Sequence, residues 1–156
     1  MKFESQLVHR GDRKRQGQSP VPSTTPINLA TTYFYDSAAK LDRIMGNEEP
    51  GFSYARYTNP TNEALEELTS SLEGGFGSLA TSSGMAALQI AFQAALLDRN
   101  HSIVVANAIY GATVELLDKF LAPFGVEVTY VDVCDLEAVE KAVAKHQPGC
   151  IFLETI

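Results

Sequence analysis

The amino-acid sequence predicts an α/β protein with a mostly parallel sheet. From residue 60 onward, segments with helical spacing of apolar residues alternate with short apolar runs, an order typical of strands joined by helices. Two of the predicted strands, 102–106 and 150–155, carry continuous apolar runs, as strands covered on both faces do. The 156 residues suffice for one domain of ordinary size.

Residues 1–60 are predicted to form an extended arm rather than part of the sheet. Little periodicity is present there, and five of the seven prolines fall in this segment. Proline fixes φ and lacks the backbone N–H donor. Within the arm, residues 36–46 predict a short helix that Asp36 or Ser37 caps and Gly46 ends. The basic stretch at 9–15 is expected to be solvated.

Apolar side chains on the arm predict an oligomer. An arm of this length is unusual within a compact domain, and large apolar side chains need burial. If they do not cover this chain's own domain, they cover that of a neighbouring subunit. The residues concerned are Ile27, Leu29, Tyr33, Phe34 and Tyr35.

Residues 61–156 are predicted to form an α/β domain in which helix and strand alternate four times. The predicted helices cover 60–73, 84–97, 112–125 and 135–146, and the predicted strands cover 77–81, 102–106, 126–132 and 150–155. Asn59 followed by Pro60 is a typical helix start, and Gly74 a typical end. Asp135 is expected to cap the last helix.

Two of these helices carry specific expectations about burial. The helix at 84–97 is almost entirely apolar and is therefore expected to be buried. In the helix at 112–125, helical spacing predicts one buried side. That side consists of Leu116, Leu117, Phe120 and Leu121.

The end of the sequence indicates that residues 61–156 are the first part of a longer domain. Ile156 lies at the end of an apolar strand, or just past it, without a cap, turn or tail. The sheet as predicted has four strands and an open edge, which is an aggregation liability. We therefore expect a longer protein.

Composition excludes several function classes. The net charge of −7 argues against nucleic acid, whose phosphates demand a basic face. No apolar run is long enough to span a bilayer, and the N-terminus lacks the apolar core of a secretory signal. Cys134 and Cys150 form no C-x-x-C pair, and no histidine stands at metal-ligand spacing from them. We therefore expect reduced thiols, no metal, no membrane and a cytoplasmic protein.

Three strand-to-helix junctions are candidates for a ligand site, because ligands of open α/β sheets bind outside the carboxyl ends of strands. At 82–85, two serines and Gly84 precede a helix whose free N–H groups and dipole favour a phosphate, although a serine that only caps the helix explains the stretch equally well. Tyr110 could stack on a flat ligand or pack over a loop. Glu154 could hold part of a ligand or be a solvated carboxylate.

A fourth candidate lies on the arm. Tyr54 and Arg56 offer a phenol and a bidentate guanidinium, a pair suited to phosphate. The alternative is a surface arginine shielded by Tyr54 and Tyr57. Together, the four stretches describe one ligand with a phosphate at one end and a flat ring.

The motifs in these stretches resemble the trans-sulfuration, or Cys/Met-metabolism, family of pyridoxal 5′-phosphate enzymes. The similar segments are YARYTNPT (54–61), SSGMAA (82–87), YGAT (110–113), FLET (152–155) and STTPINLATTYFYD (23–36). The resemblance implies the type I aminotransferase-like fold and a homotetramer built as a dimer of dimers.

The resemblance also implies roles for individual residues. Gly84 and Met85 would give backbone N–H groups to the cofactor phosphate, with Ser83 adjacent. Tyr110 would stack on the pyridine ring as a catalytic-site residue. Three further implied cofactor-binding residues are Tyr54 and Arg56, which would reach the phosphate of a neighbouring subunit, and Glu154, which would lie beside the cofactor.

The activity that the resemblance implies is γ-replacement on an activated homoserine ester, with an amino-acid substrate. The alternative is γ-elimination of cystathionine or methionine; methionine-degrading members often carry cysteine after Tyr-Gly, where this chain has Ala112. The lysine that holds the cofactor and the carboxylate against its ring nitrogen would lie beyond residue 156, because none of the six lysines has an S-x-T-K-like context. A third possibility is an inactive segment that only binds or interacts, and a fourth is a different α/β nucleotide binder.

Overall fold

A computed structural model describes residues 2–9 and 22–155. Most of the basic stretch predicted at 9–15 lies outside this range. The chain forms two compact units, Met1–Ala80 and Thr81–Ile156. In the described part of the chain, no helix has both the length and the apolarity needed to cross a membrane.

The first unit contains the predicted short helix and one that the sequence does not predict. Helix α2 spans Ala38–Met45; Ser37 caps it by accepting a hydrogen bond from the Lys40 N–H, and Gly46 ends it. Helix α1, Phe3–His9, lies where an extended arm is predicted. A seven-residue helix is marginal in isolation, and α1 instead packs on α3 (Pro60–Glu73). Because packing on α3 stabilises α1, the sequence of α1 itself does not need to predict a helix.

Helix α3 begins and ends as predicted. The Asn59 side chain accepts a hydrogen bond from the Thr61 N–H, Pro60 occupies the first turn, and Gly74 ends the helix with a φ of 64°. The arm is tied to this helix start, because the Asn28 N–H donates to the Thr61 hydroxyl over 2.9 Å. The break between compact units therefore falls after Ala80, and the division into arm and domain at residue 60 stays a prediction.

The second unit contains a three-stranded parallel sheet. Its strands are β1 (Ser102–Ala106), β2 (Glu127–Val131) and β3 (Cys150–Phe152), in the order β2-β1-β3. All five residues of β1 are buried, as expected for a strand covered on both faces. β3 differs, since Ile151 is half exposed.

The strand predicted at 77–81 is wrong. In the described part of the chain, no segment pairs with it, so the run GSLAT does not form a strand. A strand exists only where a neighbour supplies its ladder partners, and an apolar run of this length does not specify such a neighbour. The sheet consequently has three strands rather than the predicted four.

Two faces of this sheet carry helices and define the core. Helix α4 (Gly84–Leu96) and the helical segment 111–124 cover one face, and α6 (Leu136–His146), capped by Asp135, covers the other. The prediction that α4 is buried is wrong for most of the helix: Phe92 and Leu96 are its buried residues, and Ile90 is 42% exposed. In an almost uniformly apolar helix, apolar residues lie on every side, so the sequence does not show which side is buried.

The predicted helix 112–125 adopts three helical geometries in succession. An α-helical turn, α5 (Gly111–Glu115), continues as a π-helix (Leu116–Leu121) and a 3-10 turn (Ala122–Phe124). Three of the four residues expected to be buried are buried. Phe120 is 61% exposed, because a π-helix bonds i to i+5 and shifts the phase of the side chains relative to 3.6-residue spacing.

Candidate cofactor site

The start of α4 has two backbone N–H donors that lack an acceptor among the described residues. Ser83 is extended, with φ −161° and ψ 158°, and its Oγ accepts a hydrogen bond from the Ala86 N–H over 3.1 Å. Its carbonyl accepts from the Ala87 N–H. Among the residues that the structure describes, no acceptor pairs with the N–H groups of Gly84 and Met85. The capping interpretation of Ser83 is thus confirmed, and it leaves two donors for an anion.

The space around Gly84 fits a phosphate. A Cβ placed on Gly84 would meet no heavy atom within 4 Å among the described residues. An anion could therefore approach the backbone closely, and the positive end of the 13-residue helix favours negative charge there. Ser83 could add its hydroxyl hydrogen, since its oxygen already accepts from Ala86. The residues present fit the phosphate of the cofactor that the resemblance implies.

Tyr110 and Glu154 meet at one edge of the sheet. β1 and β3 are parallel neighbours, with Val105 opposite Phe152, so their carboxyl ends lie side by side. The backbone N–H of Tyr110 donates to Glu154 Oε2 over 2.8 Å. Tyr110 is 65% exposed, and no aromatic ring or cation within the described chain stacks on its ring. The ring is therefore free to stack on a ligand, and its stacking role stays a prediction.

Helix α4 packs on the elements that lead to Tyr110 and Glu154. Helix α4 contacts both α5, which Tyr110 caps, and β3, which leads to Glu154. Met85 packs on the core cluster to which Phe152 also contributes. The order of parallel strands predicts that Tyr110 and Glu154 lie at one sheet edge. The bond between Glu154 and a backbone amide is not predicted, because nothing in FLET or YGAT indicates which group the carboxylate meets.

The arm residues form a separate arrangement within the first unit. Tyr54 pairs with Thr32 in an antiparallel bridge, and the Tyr57 N–H donates to the Tyr54 carbonyl, which closes a turn. The Arg56 guanidinium lies 5.4 Å from the Tyr54 ring centroid and 5.2 Å from that of Tyr57. The aromatic shielding considered for Arg56 is therefore present.

The charge of Arg56 has no carboxylate counter-ion among the described residues. Arg56 is exposed, and no carboxylate within the described residues forms an ion pair with it. The two rings hold the guanidinium near their faces but satisfy none of its five N–H donors as hydrogen bonds would. An external anion would find these donors available.

The cysteines have the properties expected of structural thiols. Neither Cys134 nor Cys150 forms a disulfide; the first is exposed and the second half-buried. Burial raises the pKa of the Cys150 thiol, and the charge of Arg99 only partly opposes this effect. A raised pKa keeps Cys150 protonated and poorly nucleophilic. Catalysis through Cys150 is therefore not supported.

Comparison with known proteins places these features in context. The profile of the family described as Cys/Met metabolism PLP-dependent enzyme matches residues 4–156. The L-methionine gamma-lyase of Fusobacterium nucleatum subsp. nucleatum is 38% identical over 130 residues, which make up 83% of this chain and 32% of that protein. The homocysteine/cysteine synthase of Saccharomyces cerevisiae is 32% identical over 99% of this chain and 34% of its own length.

A solved structure shows the same likeness in three dimensions. A putative O-acetylhomoserine (thiol)-lyase from Campylobacter jejuni, which contains a pyridoxyl-lysine-phosphate group, superposes with a TM-score of 0.76 at 26% identity. The superposition covers 94% of this chain and 35% of the Campylobacter jejuni chain. The expected type I fold class is confirmed for the portion that this chain covers. The chain spans about a third of the length of the curated relatives it matches.

Proposed function

This chain belongs to the Cys/Met metabolism family of pyridoxal 5′-phosphate-dependent enzymes, and from that membership we propose that the complete protein is a γ-replacement enzyme acting on an activated homoserine ester. The product would be cystathionine or homocysteine, depending on the thiol acceptor. When bound, the cofactor withdraws electrons from the substrate α-carbon, which allows bonds further along the side chain to break. The observation that carries the proposal is the pair of N–H groups at the start of α4 that have no acceptor among the described residues. They face open space, and the family depends on a phosphorylated cofactor.

The residues of the second unit would hold this chain's own cofactor. The N–H groups of Gly84 and Met85, with the Ser83 hydroxyl, would donate to the phosphate in concert with the helix dipole. The exposed ring of Tyr110 would stack on the pyridine ring and keep water from that face. Glu154 lies at the same sheet edge, but its contact there is with the backbone of Tyr110.

Tyr54 and Arg56 would serve the phosphate of a neighbouring subunit. The support is the exposed guanidinium that lacks a carboxylate partner among the described residues, together with the exposed apolar residues of the arm, Ile27, Leu29 and Phe34. Contacts of this kind require an oligomer, and we propose a homotetramer assembled as a dimer of dimers. We also propose a cytoplasmic location, which two thiols without a disulfide support.

The 156 residues alone are proposed to be inactive. Lys119 and Lys141 form exposed i,i+4 ion pairs with Glu115 and Glu137, and Lys40 lies 3.8 Å from Glu49. Each of these lysines already pairs with a carboxylate close to it in the chain. The lysine and the carboxylate that the chemistry requires would come from the remaining two thirds of the protein, and the isolated segment would at most bind phosphate weakly.

γ-Elimination is the second candidate, favoured by the methionine gamma-lyase among the relatives. Ala112 speaks against it, because methionine-degrading members of the family often have cysteine at that position. The difference between the two reactions is whether an acceptor thiol adds before the product leaves.

The test uses the complete protein. Purified protein should show the visible absorption of a covalently held cofactor, and borohydride should abolish that band. It should consume O-acetyl- or O-succinylhomoserine only when cysteine or sulfide is present, and form cystathionine or homocysteine. Release of 2-oxobutanoate and ammonia from cystathionine or methionine alone would establish the elimination reaction instead. The absence of any cofactor band would contradict both.

A further inference from the structure

We infer that Glu154 is a positioning residue for the ring of Tyr110: its carboxylate fixes the Tyr110 backbone amide and so aims the ring at the cofactor. The inference rests on the proposed function, in which Tyr110 stacks on the pyridine ring. It gives Glu154 an indirect role in place of the direct cofactor contact that the family resemblance implies.

The sheet brings this carboxylate to the amide. Phe152 stands opposite Val105 in the parallel pair of β3 and β1, and it packs edge-on against Phe92 of α4 at a centroid distance of 5.1 Å. Glu154 follows Phe152 by two positions, just past the end of β3. The chain that leaves β1 reaches Tyr110, whose N–H donates to Glu154 Oε2 over 2.8 Å.

The backbone of Tyr110 is then fixed on both sides. Its carbonyl accepts hydrogen bonds from the N–H groups of Thr113 and Val114, at 2.9 and 3.3 Å. Its own N–H has Glu154 as acceptor. Tyr110 occupies the N-cap position with φ −58° and ψ 132° and has no side-chain cap bond. The Glu154 carboxylate therefore supplies the restraint on the amide side of this residue.

Fixing both peptide groups sets the direction of the Cα–Cβ bond. The ring itself has few restraints, since 65% of the residue is exposed. A stacking contact depends on the ring lying parallel to its ligand at close range, and each freely rotating bond that must be ordered on binding weakens affinity. Charge-assisted hydrogen bonds such as the one from Tyr110 to Glu154 are stronger than neutral ones.

A double-mutant cycle on the complete apoprotein tests the inference, with affinity for pyridoxal 5′-phosphate as the readout. Glu154→Ala should weaken binding about tenfold, the usual effect of losing one hydrogen bond to a charged group. Glu154→Gln should weaken it less, because the amide oxygen can still accept from the Tyr110 N–H. In a Tyr110→Ala background, Glu154→Ala should change affinity by about twofold or less, since the ring that it positions is gone.

The same cycle contains the results that would overturn the inference. An equal loss from Glu154→Ala with and without the Tyr110 ring would show that Glu154 acts directly on the cofactor. An unchanged affinity in Glu154→Ala would show that it does nothing at the site. Glu115→Ala is the matched control. It removes from α5 an exposed carboxylate that pairs with Lys119, and it should leave the affinity for pyridoxal 5′-phosphate unchanged.

Amide hydrogen exchange separates this inference from the proposed function. In the apoprotein, Glu154→Ala should speed exchange of the Tyr110 amide, and Glu154→Gln should give an intermediate rate; the glutamine variant decides the matter if the alanine variant does not fold. An unchanged rate in both would refute the contact. If the wild-type protein binds no cofactor at all, the proposed function fails, while the exchange rates still decide whether Glu154 fixes the amide.

Discussion

Replacement of Arg56 by alanine should weaken cofactor binding while leaving the fold almost unchanged. The guanidinium lies 5.4 and 5.2 Å from two tyrosine rings and is exposed. Exposed cation–π contacts contribute about 0.5–1 kcal/mol, so the free energy of unfolding should fall by about 1 kcal/mol. The Tyr54–Tyr57 turn is held by backbone hydrogen bonds, which the substitution leaves in place.

The effect on the cofactor should be much larger. A bidentate hydrogen bond between a guanidinium and a phosphate is worth about 1.5–3 kcal/mol. Its loss should raise the dissociation constant of pyridoxal 5′-phosphate about 10- to 100-fold. Arg56→Lys should give a dissociation constant between those of the wild type and Arg56→Ala, because lysine keeps the charge but not the planar fork. Tyr54→Phe should weaken binding less than Arg56→Ala, because it removes only the phenol oxygen and retains the ring.

The assay is titration of the complete apoprotein with cofactor, together with thermal unfolding of each variant. Unchanged cofactor affinity in both Arg56→Ala and Tyr54→Phe would refute the role of the arm. Mixed oligomers test whether the contact crosses the interface. Subunits carrying Arg56→Ala, combined with subunits that lack the catalytic lysine, should regain activity at those sites where an intact arm meets an intact lysine. Failure of the mixture to exceed both parents would place the contact within one subunit.

Three further predictions concern the second unit. Gly84→Pro should leave the stability of α4 nearly unchanged, because proline suits a first helical position and Ser83 is already extended. The substitution removes one donor to the phosphate, so cofactor affinity should fall about tenfold. An undiminished affinity would contradict the phosphate site. Phe92→Ala should lower the free energy of unfolding by about 3–5 kcal/mol in a urea titration, because Phe92 is only 2% exposed. A loss below about 1 kcal/mol would mean that this side chain is not part of the core. Partial burial, with a hydrogen bond to Asp118, raises the pKa of Tyr130 from 10.0 to about 12. The protonated tyrosine therefore contributes to the free energy of unfolding below pH 10, and this contribution is lost as the pH rises toward 12. Urea midpoints of wild type and Tyr130→Phe should therefore converge over that range, and parallel curves would contradict the shift.

Local signals in the sequence were sufficient for most elements of the second unit. Helix α6 begins after Asp135 and β1 covers Ser102–Ala106, both as predicted. Cap residues and continuous apolar runs act over a few neighbouring positions, so they are visible without a fold. The clustering of Tyr110 and Glu154 also follows from strand order, because carboxyl ends of parallel neighbours share an edge.

Features that depend on distant partners were not accessible in this way. The run at 77–81 has the composition of a strand but no ladder partner within the described chain. Helix α1 depends on packing against α3, and the exposure of Phe120 depends on a π-helical turn that its apolar spacing does not reveal. The Tyr110–Glu154 bond joins residues 44 positions apart, and only the register of β1 and β3 brings them together.

The central claim is that the start of α4, with Gly84 and Met85, holds the phosphate of the cofactor. The most direct measurement compares the affinity of the complete apoprotein for pyridoxal 5′-phosphate and for pyridoxal, which has the same ring and aldehyde but no phosphate. Two N–H donors and a helix dipole acting on one anion should make the phosphorylated form bind at least about 100-fold more tightly. Equal affinities for the two ligands would contradict the account.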